Sequence, residues 1–293
     1  MTAIRLHRHQ AICLGTLLVG ATVGAAAAHP TATQDRPGVS ATPQSSPIPA
    51  DAEIERFLSQ AHILRTHGTK KGITDTLRAT LSDGVLTHDA HIQVIDEYKR
   101  EFRTNMGVEF DFRDSWMFNV AAYKIDRLIG LNMVPVSIAG RFQSKPAAIT
   151  WWVDDVLMDE GARLKNKANS PEPLSWARQM TMVRLFDQLI YNTDRNVGNL
   201  LIDKDWRIWP IDHTRAFRKF TTLKTPESVS RCDRGVFARL KALQLADLTR
   251  EVGKLLDDGQ IRAILSRRDA IVAKLEGRGP EAFFSREVPA SAR

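Results

Sequence analysis

The chain has 293 residues, 26% of them charged, and a formal net charge of +7. That length can bury one large domain or two lobes, and the composition is that of an ordinary globular protein. The mild basic excess suits nucleotides, phospholipid headgroups or acidic peptides and equally a plain soluble surface, and no Arg/Lys stripe interleaved with aromatics argues for nucleic acid.

The chain opens with a basic stretch holding Arg5 and Arg8, then an apolar and small-residue run that ends in Ala26-Ala27-Ala28. This pattern predicts a secretory signal over residues 1–28, cleaved after Ala28. The alternative, an uncleaved anchor, is less well served by a run rich in Ala and Gly and short of the ~20 strongly apolar residues a span needs. Cleavage removes two arginines and Cys13, lowers the formal charge from +7 to +5 and leaves Cys232 as the single thiol. An exported protein of this kind, periplasmic or extracellular, has no internal disulfide and holds together by its core. Contact with a membrane is expected only through the signal segment.

Residues 29–50 are Pro, Ser, Thr and Ala with almost no large apolar side chain, which predicts a disordered tether. A helix follows from Asp51, with Ile54, Phe57, Leu58 and Ile63 on one face. The stretch from Thr66 to Asp96 alternates and is punctuated by Gly68, Gly72 and Asp83-Gly84. It predicts two or three antiparallel strands with a hairpin at Ser82 to Val85. A second helix is expected over Asp114–Gly130, with Asp114 or Ser115 as N-cap, Gly130 past the C-terminus, and Val120, Ala121, Ile125, Leu128 and Ile129 buried. Two more strands lie at Asn132–Phe142 and Ala147–Val156. Beyond Ser170 the pattern turns mostly helical. Strands segregated from helices predict an α+β fold in two lobes, a strand-rich one over residues 51–155 and a helical one over 156–282, with a tail at 283–293. A ligand is expected in the cleft between such lobes.

One stretch carries the chemistry: Tyr191 to His213, YNTDRNVGNLLIDKDWRIWPIDH. A long helix ends near Asn192, Asn-Thr-Asp-Arg-Asn-Val-Gly-Asn forms a loop, and two apolar runs around Asp203–Trp206 form a hairpin. A hairpin returns its open ends to one place, so Asn199 and Asp212 should face each other, with Asp194 in the loop feeding that mouth. Two carboxylates and an amide oxygen suit Mg²⁺, which also keeps waters and substrate phosphates as ligands. Kinase sites use the same parts: a loop Asp for the attacking hydroxyl, an Asn five residues later for metal, and a further Asp bridging metal to phosphates. Three other readings stay open here. The loop could be a plain polar turn, with Asp194 and Asn199 making capping bonds. His213 beside Asp212 could belong to a metallohydrolase, although no HxxxH-type spacing supports one. The same site could also transfer a nucleotidyl rather than a phosphoryl group.

These segments resemble the atypical kinases. Asn192–Ile202 with Pro210–Phe217 is similar to the D-R-x-x-x-N and (I/L)-D segments of the type II phosphatidylinositol 4-kinases, the HipA-like kinases and the secreted four-jointed/Golgi casein kinase group. Upstream, Asn119–Arg141 (NVAAYKIDRLIGLNMVPVSIAGR) resembles a helix-plus-strand block of the Golgi casein kinase group, and RCDRGVFARLKAL has a counterpart there. The resemblance runs over roughly Ile73–Leu243. It implies a two-lobed atypical protein-kinase-like fold, with an antiparallel-strand N-terminal lobe and a helical C-terminal lobe. It further implies ATP and Mg²⁺ or Mn²⁺ as cofactors and phosphoryl transfer to a hydroxyl on a protein, sugar or lipid headgroup. Carried onto matching positions, Asp194 is the catalytic aspartate, Asn199 a catalytic and metal-side residue and Asp212 the metal aspartate.

The first lobe departs from the pattern. Where a strand Lys and a helix Glu are expected, this chain has Gln93 and Asn119. Losing both is coherent, because two amides can hydrogen-bond whereas one orphaned ion could not be tolerated. It still removes a cation from the phosphate site and raises a nucleotide-binding pseudokinase as the alternative. Lys70 and Lys71, between Gly68 and Gly72, are the leading substitutes, with Lys99 a third. Trp151-Trp152 and the following Val153–Val156 fall where the strand linking the lobes is expected, so one tryptophan could cover an adenine ring while the backbone from Val153 to Asp155 reads its edge. Packing is the commoner fate of such tryptophans.

Overall fold

The computed structural model describes residues 50–68, 76–104 and 107–286. The expected signal segment, nearly all of the tether, the last residues of the tail, and Lys70 and Lys71 lie outside the described residues. None of the helices described is long and apolar enough to cross a membrane.

Helix α1 (Asp51–Gln60) buries Ile54, Phe57 and Leu58. Ile63 does not join that face. The chain turns extended at Ala61, so Ile63 falls in strand β1 (His62–Gly68) and is half-exposed. Strands β2 (Thr76–Ser82) and β3 (Thr87–Gln93) follow, paired from Thr76↔Gln93 to Ser82↔Thr87. Their turn is where the sequence places it. The Asp83 carboxylate accepts from Val85 N and Leu86 N, and Gly84 supplies a φ of +89°.

A two-stranded ribbon that the sequence pattern did not suggest comes next, β4 (Asp96–Thr104) with β5 (Gly107–Ser115). Helix α2 is shorter than expected, Met117–Leu128. Neither Asp114 nor Ser115 caps it. Both end β5, Trp116 is the N-cap, and Ser115 Oγ donates instead to Asp96 Oδ1. Gly130 does follow the C-terminus, at φ +65°. Strands β6 (Ser137–Phe142) and β7 (Lys145–Trp151) complete a five-stranded antiparallel sheet in the order β1-β2-β3-β7-β6. Helices α1 and α2 pack on it through Phe57, Phe118, Ala121 and Ile125.

The helical half begins with β8 (Val156–Asp159) and a short helix α3 (Glu160–Asn166). The helix forms because Asp159 caps Ala162 N and Glu160 pairs with Arg163. Helix α4 (Pro173–Ile190) is the spine, burying Met182, Leu185, Phe186 and Leu189. It leads to β9 (Leu200–Asp203) and β10 (Ile208–Pro210), which pair as the expected hairpin and with β8 form a second sheet, β10-β9-β8. A two-residue strand β11 (Cys232–Asp233), helices α5 (Arg234–Ala242), α6 (Leu245–Val252) and α7 (Asp258–Glu276), and a short β12 (Phe283–Phe284) close the chain. The fold is α+β in two lobes, an antiparallel sheet with its helices followed by a helical half.

Asp126 shows how the Asn119–Arg141 block works as structure. Its side chain is fully buried, and Oδ1 accepts from Met133 N at 3.0 Å and Val134 N at 3.2 Å. The second oxygen pairs with Arg127, which also binds Asp51 on α1. The carboxylate therefore ties α2 to the turn entering β6. Asp126→Ala leaves two buried N–H groups and a guanidinium short of a partner. A loss of about 3 kcal/mol is expected, measurable as a lower urea midpoint with an unchanged slope.

Candidate active site

Helix α4 ends at Tyr191, whose φ of +50° turns the chain into the loop. Asp187, buried in the last turn of an apolar helix, organises that loop. It accepts from Asn192 Nδ2, and Arg195 approaches it through Nε and Nη2, each at 3.0 Å. Arg195 Nη1 then donates to Asn199 O (3.0 Å) and Ile211 O (2.7 Å). One guanidinium thus clamps the end of α4 to both sides of the hairpin mouth. Ile211 N donates to Asn199 O at 3.0 Å, which extends the β9–β10 pairing and sets Asn199 opposite Ile211, one residue before Asp212. Asn199 Nδ2 reaches back 3.3 Å to Asp194 O, and Asp194 N donates to Asn192 Oδ1. Asp194 and Asn199 are thus bonded to each other, and Asn199 lies opposite Ile211 rather than opposite Asp212 as the sequence suggested, with Asp212 the next residue along.

Asp212 has φ +53°. A non-glycine residue there costs on the order of 1 kcal/mol, and such strain is held where the surroundings over-determine it. Here they do. His213 N, the next amide, donates to Asn119 Oδ1 (2.7 Å), and Thr214 O accepts from Ser115 N (2.9 Å). Asn119 Nδ2 donates to Gln93 Oε1 at 3.0 Å, so the two amides standing where Lys and Glu are expected do bond each other. Gln93 Nε2 is buried with no hydrogen-bond partner. One polar relay therefore joins β3, α2 and the Asp212 segment across the two lobes.

Three further residues approach Asp212 that sequence reasoning missed there. The Thr214 hydroxyl donates to Asp212 Oδ1 at 3.0 Å, and the Asp114 carboxyl lies nearby. Burial, with the neighbouring Asp212 charge, raises the Asp114 pKa, and its Oδ1 is buried without a partner. His91, on the same face of β3 as Gln93, is pushed down by burial and partly restored by Asp212. The Asp-Ser pair ahead of an apolar run mimics an N-cap, so Asp114 gave no separate signal. Asp187 did: a lone acid in Leu-Phe-Asp-Gln-Leu-Ile calls for a buried cation, and Arg195 is that cation.

Asp194 is nearly half exposed, with Arg215 Nη1 at 3.2 Å from Oδ2. Lys99 stands on β4, paired with Glu97 at 2.9 Å and 5.0 Å from the Phe102 ring centre. The tryptophans are engaged in packing. Trp151 stacks on His88 at 3.4 Å and meets Phe57 edge-on, while Arg78 covers Trp152. Val153 is buried, whereas Asp155 is tied up: its carbonyl accepts from Lys204 N and its carboxylate pairs with Lys204 Nζ. Among the described residues no three His, Cys, Asp or Glu side chains group as a metal site.

His213 is a buried neutral ring, edge-on to Phe186, its Nε2 unpartnered and its pKa held well below the usual value by burial. A base whose pKa falls on folding contributes stability that is complete above its unfolded pKa of 6.5 and is lost as pH falls below it. His213→Phe removes no side-chain hydrogen bond. Below pH ~6.5 the variant should gain on wild type by up to about 1.4 kcal/mol per pH unit; parallel melting curves at pH 7 and pH 5 would contradict this.

Among solved structures the chain is similar to hydra Fam20 with sugar, at TM-score 0.58 and 15% identity, covering 82% of this chain and 95% of that one. It is also similar to the Golgi casein kinase with Mn/ADP bound, at TM-score 0.53 and 13% identity over 82% of this chain and 80% of the other. A further Golgi casein kinase structure gives TM-score 0.52 and 14% identity, covering 80% and 77%. No protein-family model matches the chain, and no curated protein matches it in sequence. At these identities the likeness establishes the fold, the two-lobed atypical kinase-like architecture that the motifs resemble.

Proposed function

We propose that the chain is an exported atypical kinase that transfers the γ-phosphate of ATP to a hydroxyl acceptor with Mg²⁺ or Mn²⁺. The observation that supports this reading is the hairpin mouth, where Arg195 binds Asn199 O and Ile211 O and the Asn199 side chain bonds Asp194 O. The donor set fits a hard divalent cation. It is all oxygen, and Asp114 contributes a buried, unpartnered oxygen beside Asp212. Asp212, Asp114 and Asn199 would hold the ion, leaving positions for phosphate oxygens. Bound there, the ion neutralises phosphate charge and aligns the transferring group. Asp194, more open than the others, orients the acceptor hydroxyl and takes its proton. The Mn/ADP-bound structure of the same fold supports a nucleotide and a divalent ion as ligands.

Export is consistent with the state of the remaining thiol. Cys232 is buried and its pKa is pushed up to about 12, first by burial, so it stays protonated and inert toward disulfide exchange. One observation favours a second reading, a nucleotide-binding protein without transfer: the neutral Gln93–Asn119 pair takes the place of an ion pair. A thermal-shift assay with ATP and Mn²⁺, followed by transfer of labelled phosphate, separates the two. Stabilisation with transfer selects the kinase; stabilisation alone selects the second reading; no stabilisation contradicts both.

A further inference from the structure

The amide pair leaves β3 without a cation, so the negative charge of a triphosphate has to be met from elsewhere. Asp114 stands beside Asp212, and Asp194 lies on the other side of Arg215 in the preceding loop; one divalent ion does not neutralise three carboxylates. A fixed positive charge among them is required before an anionic nucleotide is welcome.

Most described cations near the site have their donors committed. Arg195 spends its own on Asp187 and two carbonyls. Arg218 binds Glu109 and Arg113 O, its buried Nη2 also ion-paired to Glu109 though without a hydrogen bond, and Lys99 pairs with Glu97 on the outer ribbon. Arg215 differs. Its Nη1 is 3.2 Å from Asp194 Oδ2, its Nη2 is 3.7 Å from Glu109 Oε2, too long for a hydrogen bond, and its Nε is buried with no partner. The guanidinium rests on the Phe112 ring, 4.9 Å from its centre, two residues before Asp114 on β5. It therefore stands within electrostatic reach of both Asp194 and the Asp114–Asp212 pair.

Its backbone is fixed as well. Arg215 O accepts from Thr193 N and from Thr193 Oγ1 at 2.8 Å, which bolts it to the residue before Asp194. A planar fork with unspent N–H groups suits two phosphate oxygens better than an ammonium does.

We infer that Arg215 is the cation that receives the terminal phosphate of the nucleotide, replacing the lysine that β3 lacks. The inference rests on the phosphoryl-transfer reading of Asp194 and Asp212. Because Arg215 contacts the residue assigned to the acceptor hydroxyl, it meets the phosphate being transferred rather than the two that stay behind.

The test is calorimetric binding of a β,γ-imido ATP analogue and of ADP, each with Mn²⁺, to wild type, Arg215→Gln, Arg215→Lys and Asp212→Ala. Arg215→Gln should weaken the triphosphate by at least about 10-fold and leave ADP nearly unchanged, with Arg215→Lys between. Wild-type affinity of Arg215→Gln for both, with both lost in Asp212→Ala, overturns the Arg215 assignment and leaves the site reading standing. Equal loss of both nucleotides in Arg215→Gln also overturns it, as the mark of a merely structural residue. Failure of wild type to bind either nucleotide removes the site reading and this inference with it.

Discussion

Asp212→Ala should abolish metal-dependent nucleotide binding. Asp212 is the acidic group that the hairpin, the Thr214 hydroxyl and the Asn119–His213 amide bond all converge to hold. Loss of an outer partner of a metal ligand costs about 10–100-fold in affinity, so loss of the ligand itself should exceed 100-fold. Alanine also meets the left-handed backbone at φ +53° less well than aspartate does. Asp212→Asn avoids that complication. Asparagine tolerates the backbone and still offers Thr214 an oxygen, so it should keep the wild-type melting temperature while losing Mn²⁺-dependent nucleotide binding. An Asp212→Asn protein that still binds Mn²⁺ and ATP normally would remove the metal assignment.

Asp194→Ala should separate turnover from binding. The residue lies in the loop, is nearly half exposed, and its carboxylate is paired with Arg215 alone among the contacts seen. A general base contributes about 10²–10⁴-fold, so turnover should fall by roughly 10³. Nucleotide affinity should hold or rise, since the change frees Arg215 from its ion pair. Phosphate release from ATP and nucleotide affinity, measured on the same preparation, make the comparison. Lost affinity with intact turnover would exclude the role given to Asp194.

The hairpin was legible because two apolar runs around Asp203–Trp206 admit few other structures, although its register sets Asn199 opposite Ile211, one residue short of Asp212. The Gln93–Asn119 bond was legible for a similar reason: two amides at paired positions have one economical arrangement. The β4–β5 ribbon was not. Tyr98 and Phe110 face outward, and Phe112, stacked on Phe102, completes its burial beneath Arg215 and Arg218, about a hundred residues away in sequence. Asp114 was hidden by the same long range, because its proximity to Thr214 does not exist until the lobes meet. Ile63 misled in the opposite sense. Its spacing fits the α1 face, and only the start of β1 at His62 takes it away. Local pattern therefore specified the loop and strand that carry Asp194, Asn199 and Asp212. The charges that complete the site came from tertiary packing.

The most direct measurement is a crystal of the protein grown with Mn²⁺ and ADP, with the metal located by its anomalous scattering. A single strong peak is predicted at the hairpin mouth, within about 2–2.5 Å of a carboxylate oxygen of Asp212 and with Asp114 or Asn199 as a second ligand. Ordered ADP phosphates should lie on its far side. A manganese peak elsewhere, or nucleotide bound with Asp212 turned away from it, would contradict the assignment of this mouth as the phosphoryl-transfer site.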